Sequence, residues 1–318
     1  MNKVKVALIG AGTMANKVHY PSLAEFGDVE IVALCDLAEE KLIKTAKKFN
    51  INNTFRDYKK MIENTSPDAV YILMPPHHLF DLVIHCLNQK LHLFIEKPPG
   101  VTREQTRQMS LLAEKKGSLT MVGFQRRFSP LTVEAKKQVE ARGEIMQATV
   151  TFVKNYRGEP YYSGAIDILT CDVIHAVDTL RWICGEPERI VSDIRAIDAY
   201  YDNSFNAFIK FKNGSVGFLN TNWKVGKRIF SIEMHSRGIS AFVEPEVEAK
   251  IFKDNKEVPE LYKAEEYVGS EAFHKIGGFY QENRHFIDCI KKNTVPLTNL
   301  AEACRTMEVV DRIYHSQI

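Results

Sequence analysis

The sequence predicts an α/β protein in two parts: a doubly wound parallel sheet over residues 1–122 and a β-rich region over residues 123–318. In the first part, short strands that are apolar throughout alternate with segments of helical periodicity. Such strands are buried on both faces, which is typical of a parallel sheet covered by helices on both sides. A glycine-rich turn directly after the first strand also favours this fold. Strand patterns dominate the rest of the chain, which places the boundary after Val122.

The first part alternates predicted strands and helices with short connections. The strands cover residues 4–9, 31–35, 69–73, 91–95 and 119–122. The helices cover residues 14–26, 38–49, 79–88 and 103–116. Because the strands are parallel, their carboxyl ends should lie along one edge of the sheet, where ligands bind in such folds.

The second part begins with a predicted helix at residues 130–140 and then becomes rich in strands. Predicted strands cover residues 147–154, 190–197, 206–212, 215–222, 229–235 and 249–252. Asn213-Gly214 lies between two of them and favours a tight hairpin turn in which these residues supply positive φ angles. Further helices are predicted at residues 166–184, 280–292 and 300–314.

The composition is that of a globular protein with a substantial core. At 318 residues, 45% of them hydrophobic, the chain is long enough for about two domains of ordinary size. Its 42 basic and 40 acidic residues nearly balance, so its charge gives no reason to expect nucleic acid or an anionic membrane as the main partner. A small neutral or weakly charged ligand fits this charge better.

The cysteines and histidines form no recognisable disulfide or metal pattern. The six cysteines lack a Cys-x-x-Cys pair and lie in or near apolar segments, so we expect reduced thiols in a cytoplasmic protein. His78 and His85 are two helical turns apart, yet no carboxylate or cysteine completes a site, and no metal is expected. The chain shows no secretion signal and no apolar run of about 20 residues, so no membrane helix is expected.

The turn after the first strand has the features of a dinucleotide-binding turn. Gly10 permits the tight change of direction, Gly12 lets the backbone approach a pyrophosphate, and Ala15 keeps the following helix close to the sheet. The phosphates would lie at the N-terminus of that helix, where N–H donors and the helix dipole favour anions. The alternative is a merely tight turn, which the strand-turn-helix context disfavours.

Asp36 ends the second predicted strand, where an acidic residue accepts hydrogen bonds from the adenosine ribose. Its carboxylate would repel a 2′-phosphate, and Leu37 follows at a position where arginine or serine would favour one. The sequence therefore predicts NAD rather than NADP, although Lys41 and Lys44 could weaken this preference. The alternative role of Asp36 is to cap the next helix.

Several short motifs, spread over both parts of the chain, carry a family resemblance. They are Gly10-Ala11-Gly12-Thr13-Met14-Ala15, Cys35-Asp36, Met74-Pro75-Pro76, Glu96-Lys97-Pro98, Gly123-Phe124-Gln125-Arg126-Arg127-Phe128 and Asp172-Val173-Ile174-His175-Ala176-Val177-Asp178. Together they resemble the Gfo/Idh/MocA family, named for glucose-fructose oxidoreductase and inositol dehydrogenase. The resemblance implies a Rossmann domain followed by an α/β domain with an open, mainly antiparallel sheet. It also implies homodimers or homotetramers formed largely through the face of that sheet.

The resemblance further implies an NAD-dependent oxidoreductase that moves hydride to or from a secondary hydroxyl of a sugar, polyol or related substrate. The predicted cofactor-binding residues are Gly10, Gly12, Thr13, Met14, Asp36, Leu37, Met74, Pro75, His78, Glu96, Lys97 and Arg126. The predicted substrate-binding residues are Lys97, Arg127, Tyr156, Tyr162, Asp172 and His175. Tyrosine and arginine side chains suit sugars, and local packing is the alternative for each residue of this loop.

Lys97, His175 and Asp172 are the predicted catalytic residues. Pro98 restricts Lys97 to extended geometry, and a lysine of ordinary pKa is a cation that can stabilise developing negative charge on the reacting oxygen. An imidazole titrates near working pH, so His175 is the candidate acid/base, facing the same alcohol carbon as Lys97. Asp172 and Asp178, three residues before and after His175, are predicted to project toward its side of the helix. In the family the aspartate usually lies four residues before the histidine.

Two other functions stay open from the sequence. In one, NAD oxidises a sugar hydroxyl transiently, the ketone acidifies a neighbouring C–H, a glycosidic group is eliminated and the cofactor is restored. In the other, the protein is a non-catalytic NAD-binding sensor, because a fold licenses no activity by itself. The presence of both Lys97 and His175 disfavours the sensor.

Overall fold

Residues 3–318 are described by a computed structural model, and they fall into two units. The first unit comprises the chain through Gly123 together with Phe279–Cys304, and the second comprises Phe124–Gly278 and Arg305–Ile318. The division predicted at Val122 therefore differs in one respect, since residues 279–304 return to the first unit. They are held there by the N–H and carbonyl of Val122, which bond to Thr298 at 2.7 Å each.

A six-stranded parallel sheet forms the centre of the first unit. Its strands are β1 (Val4–Ile9), β2 (Val29–Cys35), β3 (Thr54–Phe55), β4 (Ala69–Ile72), β5 (His92–Ile95) and β6 (Thr120–Val122). They are ordered β3-β2-β1-β4-β5-β6, and every pair is parallel. The parallel, doubly wound sheet predicted from the apolar strands is confirmed.

The helices of this unit follow the predicted pattern, with one addition. They are α1 (Tyr20–Ala24), α2 (Glu39–Phe49), α3 (Tyr58–Thr65), α4 (Leu79–Asn88) and α5 (Arg103–Lys116). Helix α3 and the short strand β3 were not predicted. The start of α3 does carry a sequence signal, because the Asp57 carboxylate accepts the N–H groups of Lys59 and Lys60 as a helix cap.

The helix after the glycine turn is not a regular α-helix throughout. Ala15–His19 form a π-helical turn that leads into α1. Pro21 stands near the junction and has no N–H to give to an α-helical hydrogen bond, which favours a change of helix type here. The turn buries His19 completely.

An eight-stranded, mainly antiparallel sheet forms the second unit. Its strands are β7 (Gln147–Asn155), β8 (Pro187–Arg195), β9 (Ser204–Phe211), β10 (Val216–Asn222), β11 (Lys224–Ser236), β12 (Ile239–Glu244), β13 (Glu248–Lys253) and β14 (Glu260–Lys263). Their order is β14-β13-β12-β11-β7-β10-β9-β8. Strands β7 and β10 pair in parallel, and the other neighbours are antiparallel. The open sheet implied by the resemblance is confirmed.

Helices α6 and α7 pack on this sheet. The helices that follow the first unit's α5 are α6 (Pro130–Glu140), α7 (Ile174–Cys184), α8 (Ala264–Val268), α9 (Phe273–Ile276), α10 (Phe279–Lys292) and α11 (Leu300–Tyr314). A second π-helical turn, Leu169–Val173, precedes α7. The predicted helix 166–184 is therefore a π turn joined to an α-helix.

The hairpin predicted at Asn213-Gly214 joins β9 to β10, but its turn differs from the expectation. Gly214 has a φ of +88°, whereas Asn213 is not among the residues of positive φ. The carbonyl of Phe211 accepts the N–H of Gly214 at 3.0 Å, and the side chain of Asn213 accepts the N–H of Ser215 at 3.1 Å. The turn therefore needs a left-handed conformation at the glycine alone.

Within residues 3–318, none of the helices combines the length and the hydropathy needed to cross a membrane. The same residues contain no group of three or more His, Cys, Asp or Glu side chains placed to hold a metal ion.

Candidate active site

Gly10 has a backbone conformation and a neighbour that exclude a side chain. Its φ is +113°, and an added Cβ would lie 2.4 Å from the carbonyl oxygen of Leu73. Leu73 directly follows β4, the neighbour of β1 in the sheet. The turn after β1 is thus pressed onto the carboxyl edge of β4, and only glycine fits there.

The backbone at Gly12 borders open space instead. Nothing lies within 4 Å of an added Cβ at this position. Met14, two residues on, is 46% exposed although it is apolar. The Asn16 amide donates to the carbonyls of Ala11 at 3.0 Å and Gly12 at 3.2 Å, which fixes the turn from the side of the protein. A phosphate group can therefore approach the backbone here, as the sequence predicts.

The Asp36 carboxylate is anchored beside this turn at the end of β2. One oxygen accepts the N–H of Ala11 at 2.6 Å and the other accepts the N–H of Ala38 at 2.8 Å. A carboxylate oxygen has a second lone pair, so both can still accept from ribose hydroxyls. Leu37 is 70% exposed at the same edge. Asp36 also bonds within the turn that starts α2, so its capping and ribose-binding roles are compatible.

Positive charge gathers next to the glycine turn. Lys41, Lys44 and Lys48 on α2 line one side of a cavity of about 260 Å³, and Thr13 and Asn16 line the other side. Ammonium groups at this place raise the local positive potential. They favour the phosphates of a dinucleotide.

Met74, Pro75 and His78 follow β4 on the same sheet edge as Gly10. Met74 and Pro75 are half-buried, whereas His78 is exposed. The His78 ring lies against the ring of His77, with centroids 4.0 Å apart. The three predicted cofactor-binding residues after β4 thus border the edge that the glycine turn occupies.

Glu96 holds the backbone of Lys97 at the carboxyl end of β5. One carboxylate oxygen lies 2.7 Å from Nε2 of the buried His19, and the other accepts the Lys97 N–H at 3.1 Å. Burial raises the Glu96 pKa, but the His19 hydrogen bond and the charges of His19 and Lys97 outweigh this and leave the pKa below its ordinary value. The Lys97–Pro98 peptide bond is cis. Lys97 is half-buried, so its backbone is fixed while its side chain reaches the sheet edge.

Glu282 on α10 adds a second buried carboxyl group to the first unit. It is 0% exposed, and neither of its oxygens has a hydrogen-bond partner among the described residues. Burial, together with the charge of Glu96, raises its pKa well above the ordinary value. The group therefore favours its protonated form, while Glu96 favours its ionised form.

In the second unit, Asp172 lies in the π turn and binds two side chains from other elements. Lys154, at the end of β7, forms an ion pair with Asp172 Oδ2. The Tyr161 hydroxyl donates to the same oxygen at 3.0 Å and accepts the Trp223 indole N–H at 2.9 Å. The side chain of Asp172 is 15% exposed, so the carboxylate is held but can still be reached.

His175 and Asp178 lie in α7 and differ in their surroundings from Asp172. His175 is 8% exposed, and its carbonyl accepts the Thr179 hydroxyl. The Asp178 carboxylate is bound by the Arg127 guanidinium at 2.7 and 2.8 Å. Asp172 and Asp178 thus belong to separate clusters, and the prediction that they share one side of the helix is wrong. The π turn before α7 rotates Asp172 relative to the residues that follow.

The predicted binding arginines and tyrosines have well-defined partners. Arg126 is 3% exposed, pairs with Glu246 at 2.9 Å and lies 4.3 Å from the centre of the Phe230 ring. The Tyr156 hydroxyl donates to the carbonyl of Glu159. Tyr162 is 48% exposed and has a φ of +51°. Among these residues, Tyr162 offers the most surface to a ligand.

Family models match both parts of the chain. A model described as "Oxidoreductase family, NAD-binding Rossmann fold" matches residues 4–124, and one described as "GFO/IDH/MocA C-terminal domain" matches residues 133–237. The chain belongs to the Gfo/Idh/MocA family. This confirms the resemblance seen in the sequence motifs, and it makes the protein an NAD-binding oxidoreductase.

Three relatives of this Gfo/Idh/MocA protein illustrate the range. It is 26% identical over 264 residues to D-glucoside 3-dehydrogenase of Escherichia coli K12, covering 72% of this chain and 73% of that protein. A dehydrogenase from Clostridium difficile superposes with a TM-score of 0.88 at 24% identity, covering 98% and 99% of the two chains. Levoglucosan dehydrogenase, solved with NADH and levoglucosan, gives 0.87 at 18% identity over 99% and 97%. At these identities the structural matches establish the fold.

The first unit of this Gfo/Idh/MocA protein fits NAD on its own geometry. The space over Gly12 is open to a phosphate, and the Asp36 carboxylate is fixed beside the turn. The apolar side chains of Met14 and Leu37 are left exposed at the same edge. These residues would hold the cofactor along the carboxyl edge of the parallel sheet.

Sequence reasoning missed His19, Glu282 and Lys154. His19 was recognisable as a polar residue in an apolar helix, but its bond to Glu96 joins residues 77 positions apart. Glu282 lies in a helix that the sequence assigned to the other part of the chain. Lys154 ends a strand whose polar residues carry no signal of their function. Only the fold brings each of them to a predicted site residue.

Proposed function

We propose that this Gfo/Idh/MocA oxidoreductase interconverts a secondary hydroxyl and a ketone on a sugar, glycoside or polyol, using NAD. Family membership supports the hydride chemistry, and the name of the D-glucoside 3-dehydrogenase supports a glycoside as the substrate class. The observation that carries the proposal is the position of Lys97. Glu96 fixes its backbone at the carboxyl end of β5, on the edge of the sheet where Gly12 is open to the cofactor.

Lys97 acts as the cation at the reacting oxygen. A lysine ammonium can donate a hydrogen bond to the substrate hydroxyl and stabilise the negative charge that develops as its proton leaves. The Glu96 carboxylate keeps the Lys97 backbone in place through the N–H bond of 3.1 Å. When bound, NAD supplies the acceptor for the hydride that leaves the carbinol carbon.

His175 acts as the acid/base. In oxidation, a neutral imidazole takes the hydroxyl proton while the C–H hydrogen leaves as hydride, so a C=O bond replaces one O–H and one C–H bond. In reduction the imidazolium returns the proton. Asp172 is held by Lys154 and Tyr161, and we assign it to binding a neighbouring substrate hydroxyl rather than to proton transfer.

A substrate panel tests the proposal. Purified protein is assayed for NADH formation with D-glucose, methyl β-D-glucoside, levoglucosan, D-xylose and myo-inositol. We expect turnover with at least one, and one ketone formed for each NADH. Cleavage of a glycoside without net NADH would replace the proposal with transient oxidation and elimination. NAD binding without turnover of any kind across the panel would favour the sensor.

Variants of the two predicted catalytic residues test the mechanism. Lys97→Ala should reduce kcat by about a hundredfold to a thousandfold while NAD affinity is retained. His175→Ala should reduce kcat by about a hundredfold or more. The exposed Lys115→Ala and His315→Ala serve as matched controls and should leave kcat unchanged. Full activity in both site variants would contradict the mechanism.

We also propose that the protein forms a homo-oligomer through the open face of the second sheet. Phe208 on β9 and Phe242 on β12 are large apolar side chains that remain 43% and 39% exposed. Exposed aromatic side chains on a sheet face are typical of an interface between copies. Light scattering should give a dimer or tetramer, and Phe208→Glu with Phe242→Glu should give a monomer. A wild-type protein that is monomeric would contradict this assembly.

A further inference from the structure

Lys154 is embedded in the second unit in a way that concentrates its interactions on the site. Its ammonium pairs with Asp172 and lies 4.8 Å from the centre of the Phe152 ring and 5.2 Å from that of Trp223. Its side chain is 21% exposed. Aromatic ring faces stabilise a cation that has lost much of its water. The rings and the carboxylate together fix the position of the ammonium.

The carboxylate of Asp172 is surrounded by donors from several elements. Lys154 comes from β7, and Tyr161 from the loop before the π turn. The buried Arg126 also interacts with it electrostatically, although Arg126 itself pairs with Glu246. His175 follows Asp172 on the same helical segment. Every charged group that faces Asp172 from another element is therefore positive, and Tyr161 adds a neutral donor.

These contacts decide what Asp172 can do. The two hydrogen bonds from Lys154 and Tyr161 end on the same oxygen, Oδ2. Hydrogen bonds to the ionised form, and a positive charge next to it, make a carboxylate a weaker base. A carboxylate in this state accepts hydrogen bonds from substrate hydroxyls well and takes protons poorly.

We propose that Lys154 is a positioning residue that keeps Asp172 ionised and aimed, so that Asp172 binds a substrate hydroxyl and His175 alone exchanges the proton. The catalytic part of this inference rests on the proposed function. The part that concerns the ionisation of Asp172 does not, because it can be measured without any substrate. The test therefore separates the two.

Trp223 supplies the readout that is independent of activity. Its ring touches both the Lys154 ammonium and, through its N–H, Tyr161. Protonation of Asp172 should change its fluorescence. In a Trp182→Phe background, which leaves Trp223 as the only tryptophan, fluorescence is recorded against pH. Lys154→Met should move the transition upward by about one pH unit or more, because an opposite charge is removed from the carboxylate. Lys154→Arg should keep it near the wild-type pH.

The chain contains a matched control for this variant. Lys136 pairs with the carboxylate of Glu140 and lies 5.1 Å from the centre of the Trp182 ring, so it has the same chemistry on α6. Lys136→Met should leave the Trp223 transition unchanged. In kinetics with the panel substrate that turns over fastest, it should also leave KM and kcat unchanged.

Kinetics test the catalytic part. Lys154→Met should raise KM for the sugar by roughly tenfold with a smaller change in kcat, and the acid limb of kcat/KM should move up in pH with the fluorescence transition. Lys154→Arg should restore most of both. A purely structural role would lower stability and leave the pH of both transitions where it is.

Each outcome bears on the proposal. A wild-type transition pH in Lys154→Met, or an equal shift in Lys136→Met, would overturn it. If no panel substrate reacts but the Lys154→Met transition still moves, the proposed function fails while the effect of Lys154 on Asp172 stands. If Lys154→Met does not fold, Tyr161→Phe removes the second donor to Oδ2 and should shift the transition in the same direction by less. An unchanged pH in that variant would overturn the proposal as well.

Discussion

Asp172 and Asp178 lie six residues apart on one helical segment, and the structure uses them in opposite ways. Asp178 is 1% exposed and is bound by both nitrogens of the Arg127 fork, with a third bond from the Thr306 hydroxyl at 2.8 Å. Asp172 is 15% exposed and is bound at one oxygen by Lys154 and Tyr161. The first arrangement satisfies a charge and seals it. The second holds a charge at a place that a ligand can reach.

The comparison shows why a motif does not by itself assign roles to its residues. In the run from Asp172 to Asp178 the two carboxylates are equivalent as letters. A buried carboxylate with a bidentate arginine serves the fold, because its charge would be costly to leave unpaired. A partly exposed carboxylate beside a candidate acid/base is placed for chemistry. Arg127, which the sequence assigned to substrate binding, belongs to the first arrangement.

The largest expected effect is on stability, from breaking the Asp178 pair. Arg127→Met should lower the free energy of unfolding by about 4 kcal/mol, because Asp178 would be left buried with its charge unmatched. Urea unfolding monitored by circular dichroism measures this loss. Arg195→Met removes an exposed arginine paired with Asp193 and should cost less than about 1 kcal/mol. Equal losses in the two variants would mean that the Arg127 pair is not the structural element described.

The complementary prediction concerns activity without stability. Asp172→Asn keeps the shape of the side chain but removes its charge, so it should lower kcat/KM by roughly tenfold to a hundredfold. Its unfolding free energy should change by less than about 2 kcal/mol, since the side chain is partly hydrated. Steady-state kinetics and urea unfolding on the same samples check both. A large loss of stability with unchanged kcat/KM would place Asp172 in the same class as Asp178.

The sequence predicted the parallel sheet well because burial on both faces leaves a local record, a run of apolar residues such as Ala69–Ile72. It missed β14, a short strand with largely exposed residues, because such a strand has no periodic signal. It also missed the return of residues 279–304 to the first unit. The amphipathic pattern of α10 shows that it packs on something but cannot say on which part of the chain.

The candidate site was predictable to a similar degree. Gly10, Gly12 and Asp36 follow strands at fixed distances along the chain, so local sequence located them. The partners of Asp172 and Glu96 are set by pairings across the fold, as with Lys154 on β7 and His19 in the π turn. The π turn itself is a departure from the helical period, and a periodicity argument assumes that period throughout.

Glu282 extends the comparison to a carboxyl group with no partner. Its raised pKa means that the folded protein holds a proton there that the unfolded chain releases above about pH 4.3, the ordinary value for glutamate. The stability that this proton provides is complete below that pH and is lost as pH rises through the folded-state pKa. Glu282→Gln cannot ionise and avoids this loss.

The stability of Glu282→Gln relative to wild type should therefore grow with pH, by roughly 2 kcal/mol between pH 5 and pH 7. Urea unfolding of both proteins at these pH values measures the difference. The exposed Glu308→Gln on α11 is the control and should follow wild type at both. A constant difference across this range would show that Glu282 is ionised in the folded protein, contrary to its buried and unpartnered position.

The smallest expected effect isolates one hydrogen bond of the sealed carboxylate. Thr306→Val keeps the shape of the side chain but removes the hydroxyl that donates to Asp178 Oδ1. Because Arg127 still pairs with Asp178, the unfolding free energy should fall by only about 1.5 kcal/mol, the scale of a hydrogen bond to a charged group. In an Arg127→Met background the same substitution should cost more, since the hydroxyl is then the remaining donor of the three described. A double-mutant cycle measured by urea unfolding gives this coupling, and strict additivity would mean that the two donors do not share one charge.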